Sequence, residues 1–194
     1  MILLASQSPR RKAILKFIGL SFRVVKPLNI RESHMPGETP AKMVRRLALE
    51  KAGVVSRRYP SQWVLGADTV VFCKKKIFGK PRNREEATRM LKMLQGRTHE
   101  VWTGVAFLGP RTRPKIHVEK TKVTFARIPA KEMFSYLKSR EPYDKAGSYD
   151  IQGTAREWIE KWEGDYFNIL GLPVVWLIPA INRIKKRINY SAKF

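Results

Sequence analysis

Trp63-Val64-Leu65-Gly66-Ala67-Asp68-Thr69-Val70-Val71-Phe72-Cys73 is the stretch on which the fold turns. A continuous apolar run, rich in β-branched residues and lacking helical periodicity, reads as a central strand covered on both faces. Asp68 interrupts it, and an unpaired carboxylate is costly to bury. Such a group is usually ion-paired, hydrogen-bonded or metal-bound. It is also the only acid between Lys51 and Arg84. Two readings follow: a salt bridge to one of the many lysines, or a working carboxylate. Gly66 and Ala67 beside it leave room for a ligand and favour the second.

Working outward, Ile2–Ala5 reads as a short buried strand. Ser8-Pro9 then opens a helix, with Ser8 as N-cap and Pro9 at the first helical position, and Gly19 closes it. Residues 22–25 look like a second strand and residues 26–38 like a loop. Thr39-Pro40 starts a helix to about Arg58. Asn83-Arg84-Glu85-Glu86 begins another, through Leu94, by a capping-box-like pattern. Residues 99–108 and 115–126 read as two long strands, and residues 131–139 as a helix. Residues 140–171 show glycines and little periodicity. From Pro173 a last apolar element follows, either a helix or a strand and then a helix. The fold class is α/β.

The 194 residues suit one domain, or two lobes sharing a core. Lys and Arg number 39 against 16 Asp and Glu, a formal net charge of +23. A field of that sign attracts polyanions such as nucleotides, nucleic acid or an acidic membrane surface. Cys73 stands alone, which excludes an intrachain disulfide or a thiolate zinc cluster. The apolar start is too short for a secretory signal, and the run from Gly171 to Ile181, broken by two prolines, is too short to span a bilayer. No membrane association and a cytoplasmic location are the expectation. No P-loop, dinucleotide fingerprint, zinc helix or nucleophile elbow is present. The three histidines are scattered and read as structural or surface residues.

Several further segments could carry chemistry. Arg10, Arg11 and Lys12 place three cations in the first turn of a helix, the wrong sign for its dipole. Together with free amides they would bind phosphate; alone they are a solvated basic face. Lys80, between Gly79 and Pro81, is a point charge for phosphate or an ordinary surface turn. Glu32 is a hard-cation ligand or a counter-charge to Arg31. Gln152, before Gly153, has the donor and acceptor needed to read a uracil or thymine edge, and is otherwise a structural amide.

Taken in order, seven segments resemble the Maf (septum-formation) family of nucleoside triphosphate pyrophosphatases. They are Ala5–Arg11, Leu49–Ala52, Gly66–Val71, Gly79–Pro81, Gly96–Val101, Asp144–Gly153, and Gly164–Asn168 with Gly171–Pro173. The resemblance implies an elongated mixed β-sheet with flanking helices, in two lobes around a nucleotide cleft, akin to inosine triphosphatases. It implies one such domain over residues 1–182, with a basic tail at 183–194. It implies hydrolysis of a nucleoside triphosphate to monophosphate and pyrophosphate with Mg²⁺ or Mn²⁺. Asp68 would be the catalytic residue, and with Glu32 would hold the metal. Ser8, Arg10, Arg11, Lys51 and Lys80 would bind substrate. Arg10, Thr69 and Gln152 match the branch acting on dTTP and UTP, and Thr69 and Gln152 would read the pyrimidine. A homodimer is compatible with the resemblance. Asp150 departs from it, standing where a small residue is expected.

Two rival readings remain. A basic nucleic-acid-binding protein would use the charge and the tail, but no recognised nucleic-acid motif appears. A non-catalytic nucleotide-binding regulator of septum formation is disfavoured by Asp68, Lys51 and Lys80 standing together in the family pattern.

Overall fold

In the computed structural model, the backbone is described for residues 1–191 and side chains through Ile184, so most of the basic tail lies outside the described side chains. A seven-stranded mixed sheet forms the centre, with strand order β2-β1-β3-β5-β6-β7 and β4 paired to β3. The strands are β1 (Ile2–Ala5), β2 (Phe22–Val24), β3 (Trp63–Cys73), β4 (Lys76–Phe78), β5 (Thr98–Leu108), β6 (Lys115–Phe125) and β7 (Ile159–Glu163). The helices are α1 (Pro9–Phe17), α2 (Pro40–Arg58), α3 (Arg84–Leu94), α4 (Ala130–Lys138), the short α5 (Tyr166–Ile169) and α6 (Val174–Ser191). β3 is central and almost wholly buried, as its composition predicts.

The two faces of the sheet are covered unequally. Leu3, Ala5 and Val64 meet Ala48, Ala52 and Val55 of α2 alone. Leu4, Leu65 and Val71 face a larger core built with residues of α1, α3, α4 and α6. Thr39 caps α2 by accepting from the Lys42 amide, and Asn83 caps α3 by accepting from the Glu86 amide. Ser8 occupies the N-cap position of α1, but its hydroxyl makes no capping bond. The last apolar element is helical from Val174, with Pro179 inside it.

Three elements escape the sequence reading. β4 follows a tight turn through Lys74 and Lys75, both at positive φ, where Asn-Gly would have announced a hairpin. β7 and α5 lie in the stretch read as loop. β7 is exposed along most of its length, so it shows no apolar alternation.

α2 lies unusually close to the sheet. A Cβ built on Gly66 would fall 2.3 Å from the Ala48 carbonyl oxygen, and one on Gly104 would fall 2.2 Å from that of Val44. Both obstacles are backbone and cannot swing away. Gly104→Ala is therefore expected to destabilise the protein by about 1–3 kcal/mol or more through overpacking. Gly53→Ala, whose Cβ would meet only Arg57 Nη1 at 3.7 Å, serves as the control. It is expected to be neutral or stabilising by about 0.5–1 kcal/mol. Urea denaturation of the two variants checks the contrast.

The sheet edge beside β3 has a gap. β1 pairs with β3 from Trp63 to Gly66, and β4 pairs with it from Val71 to Cys73. Between them, Ala67 to Val70 have no strand neighbour on that side. Open α/β sheets bind ligands at such places, beyond the carboxyl end of a strand.

Candidate active site

A cleft of about 490 Å³ enters at this gap. Its floor is Asp68, Thr69 and Val70, and its walls come from the β1–α1 turn, α2, the Gly79-Lys80 turn and the segment around Asp144 to Asp150. Side chains alternate along a strand, so Asp68 projects toward α2 while Thr69 projects toward α1. Both reach the cleft because the strand is open there.

Asp68 is 6% exposed, and so is Lys51 of α2. Lys51 Nζ lies 2.7 Å from Asp68 Oδ1 and 2.6 Å from Glu32 Oε1, so one ammonium group joins the buried acid to an acid in the 26–38 loop. Burial pushes the Asp68 carboxyl above its ordinary range, and the contact with Lys51 opposes that shift. The salt-bridge reading of Asp68 holds, and the paired carboxylate lines the cleft.

Arg11 donates three hydrogen bonds within the protein. Its Nε reaches the Gly171 carbonyl at 2.9 Å, Nη1 the Ser6 hydroxyl at 3.1 Å, and Nη2 the Thr69 hydroxyl at 3.0 Å. A guanidinium has five N–H groups, so two remain for a ligand. Burial lowers its pKa and Asp68 offsets this. Gly171 sits at φ +103, a conformation that strains any side chain, and a Cβ there would press on the Thr69 hydroxyl at 3.2 Å.

Asp150 lines the opposite wall, 3.6 Å from Arg10 Nη1 and 3.5 Å from Lys145 Nζ. Its Oδ1 also accepts from the Gln152 backbone N–H at 3.0 Å. The turn carrying Lys80 is pinned by the Gly147 amide donating to the Gly79 carbonyl at 3.0 Å.

The Maf-like protein family model matches residues 1–184. A dTTP/UTP pyrophosphatase of Koribacter versatilis (strain Ellin345) is 44% identical over 94% of this chain and 93% of its own length. One from Geobacillus sp. (strain WCH70) is 44% identical over 94% and 97%. The chain belongs to the Maf family. A further relative of this Maf chain, a dTTP/UTP pyrophosphatase from a strain of Bacillus cereus, is 41% identical over 98% of both chains. The mixed sheet and flanking helices expected of a Maf protein are those observed.

The Maf cleft gathers Ser8, Arg10, Arg11, Glu32, Lys51, Asp68, Thr69 and Lys80, every expected site residue but one. Gln152 is exposed and outside the cleft lining, two residues beyond Asp150. Sequence reading passed over Ser6, Lys145, Thr103 and Gly171. Ser6, beside the expected Ser8, is buried and bonds Arg11. Thr103 lies in a strand and looks like any other β-branched residue. Its only signal is the register, which sets it opposite Thr69.

Glu32 and Asp68 meet at the Lys51 ammonium beside the cleft, and two carboxylates are a donor set that suits Mg²⁺, which takes one or two of them and completes its shell with phosphate and water. Among the described residues, no group of three or more His, Cys, Asp or Glu forms a closed cage for a metal. Among them also, no helix is long and apolar enough to cross a membrane.

Proposed function

We propose that this chain hydrolyses dTTP and UTP to the monophosphate and pyrophosphate. The observation that carries the reading is a buried carboxylate, Asp68, held 2.7 Å from the Lys51 ammonium on the floor of a cation-lined cleft. The naming of the Maf relatives supports the reaction and its pyrimidine substrates.

A triphosphate carries about four negative charges near neutral pH, and the cleft supplies the counter-charge. Arg10, Lys80 and Lys145 offer cationic donors from three walls. The first-turn amides of Arg10 and Arg11, left without a side-chain cap by Ser8, add oriented N–H groups at a helix start. Asp68 accepts a proton from the attacking water as its oxygen bonds to the α-phosphorus. The bond from that phosphorus to the bridging oxygen breaks, and pyrophosphate leaves with the electron pair. Lys51 favours the ionised form of Asp68 and holds it in place. A divalent cation held by Asp68 and Glu32 would spread the charge of the leaving pyrophosphate. No covalent enzyme intermediate is required.

The test is pyrophosphate release from a panel of nucleoside triphosphates, each with Mg²⁺ and with Mn²⁺. Activity confined to UTP and dTTP supports the reading, and no release from any of them ends it. Gln152 lies outside the cleft lining, so base reading by it requires the bound base to extend past Asp150; in that case Gln152→Ala lowers the preference for UTP over CTP by about tenfold, the worth of one hydrogen bond at about 1.4 kcal/mol. An unchanged preference, measured as the ratio of kcat/KM, removes Gln152 from base reading. Nucleic-acid binding rests on the net charge of +23 and the basic tail, and is not favoured beside an acid-floored cleft.

A further inference from the structure

We infer that Thr103, outside the cleft, sets which pyrimidine the cleft accepts by consuming the hydroxyl proton of Thr69. The inference rests on the hydrolase reading above and adds a positioning residue to it.

The argument is an accounting of protons. Thr103 is 0% exposed, and its hydroxyl lies 3.0 Å from the backbone carbonyl of Asn168. A carbonyl only accepts, so the single Thr103 proton is committed there. The Thr103 hydroxyl also lies 2.9 Å from that of Thr69, its partner across the β3–β5 pair. With its own proton spent, Thr103 can only accept, so Thr69 is the donor. Arg11 Nη2 lies 3.0 Å from the Thr69 hydroxyl, and a guanidinium only donates. The polarity is then fixed along the whole chain: Arg11 to Thr69, Thr69 to Thr103, Thr103 to the Asn168 carbonyl.

Thr69 is left with one free lone pair and no free proton. It lines the cleft. A hydroxyl in that state rewards a donor on the ligand and penalises an acceptor. Uracil and thymine carry N–H at ring position 3, whereas cytosine has a bare nitrogen there. With ring position 3, and not the 4-amino group of cytosine, against Thr69, the chain of hydroxyls favours the first two bases over the third.

The Asn168 end of the relay is rigid. Its side-chain amide donates to the Val101 carbonyl and the Thr121 hydroxyl, each at 3.0 Å. The Asn168 carbonyl also accepts from the Gly171 amide at 3.0 Å, so removing the Thr103 hydroxyl does not leave it unpaired. Thr103→Val thus deletes the acceptor of Thr69 while keeping shape and β-propensity. The Thr69 proton is then free to turn toward the cleft and meet the bare nitrogen of cytosine.

Steady-state pyrophosphate release from UTP, dTTP and CTP tests this, with thermal unfolding of each variant alongside. In Thr103→Val, the ratio of kcat/KM for UTP over CTP is expected to fall by about tenfold or more, mainly through faster turnover of CTP, with UTP changed by less than about threefold. Thr103→Ser, which keeps the hydroxyl, is expected to retain the wild-type ratio. An unchanged ratio in Thr103→Val, with the wild type active on UTP, overturns this inference alone. Equal loss on UTP and CTP with a lowered Tm shows a structural role and overturns it too. A wild-type chain inactive on every triphosphate overturns the hydrolase reading and this inference with it.

Discussion

Replacing Asp68 by Asn lowers pyrophosphate release by about 10²- to 10⁴-fold, the usual contribution of a positioned general base. The substitution keeps the size of the side chain and removes its ability to hold a proton. Binding survives better than turnover, because the phosphate-facing cations are untouched, so the loss falls on kcat more than on KM. Rates within a few-fold of wild type would take Asp68 out of the chemistry. The wild-type enzyme also has a pH signature. Asp68 works only when ionised, and burial raises its pKa above the 3.8 of a free side chain. Activity is therefore lost as pH falls, and the acid limb of kcat/KM lies above the usual aspartate range. Asp68→Asn abolishes that limb in whatever activity remains.

Lys51→Met is expected to cost about 3–5 kcal/mol, the penalty for stranding a buried charge by removing its partner. Lys51 is the one cation touching both Asp68 and Glu32 among the described contacts, and it is itself buried. The pH dependence distinguishes this cause from a simple packing defect. Without Lys51, only the charge of Arg11 opposes the upward shift that burial imposes on Asp68. A carboxyl whose folded pKa exceeds its unfolded value binds protons more readily in the fold, so its contribution to stability is present at low pH and is lost as pH rises. The Tm deficit of Lys51→Met is thus larger at pH 8 than at pH 5. A deficit independent of pH would mean the lysine stem, and not its charge, supports the fold.

Most of the architecture was legible because the signals were local. β1, α2, α3 and β3 each carry an apolar pattern bounded by a cap, a glycine or a proline, and they fall where that pattern puts them. β4 was hidden by lysines in a turn that asparagine and glycine usually occupy, and β7 by its exposure. Asp68 stood out because a charge in an apolar strand is costly and needs a reason. What the sequence could not display is pairing across the fold. Nothing in the text of the chain says that the guanidinium of Arg11 spends three of its five donors on the protein, or that Thr103 faces Thr69. Those facts come from strand register, which joins residues 34 apart in sequence. Asp150 illustrates the same limit: its departure from the family pattern was visible, but its contacts with Arg10 and Lys145 were not.

The side-chain-free contacts at Gly66 and Gly104 have a consequence for how this chain can change. The separation between Lys51 and Asp68 is dictated by where one helix rests on main chain, not by any surface loop. The exterior is thereby insulated from the chemistry, and the chain can drift toward a net charge as extreme as +23 without altering the reacting geometry. By contrast, any atom added beneath the second helix would part the acid from its counter-ion. Outside the cleft itself, mutational tolerance in this molecule follows depth beneath that helix.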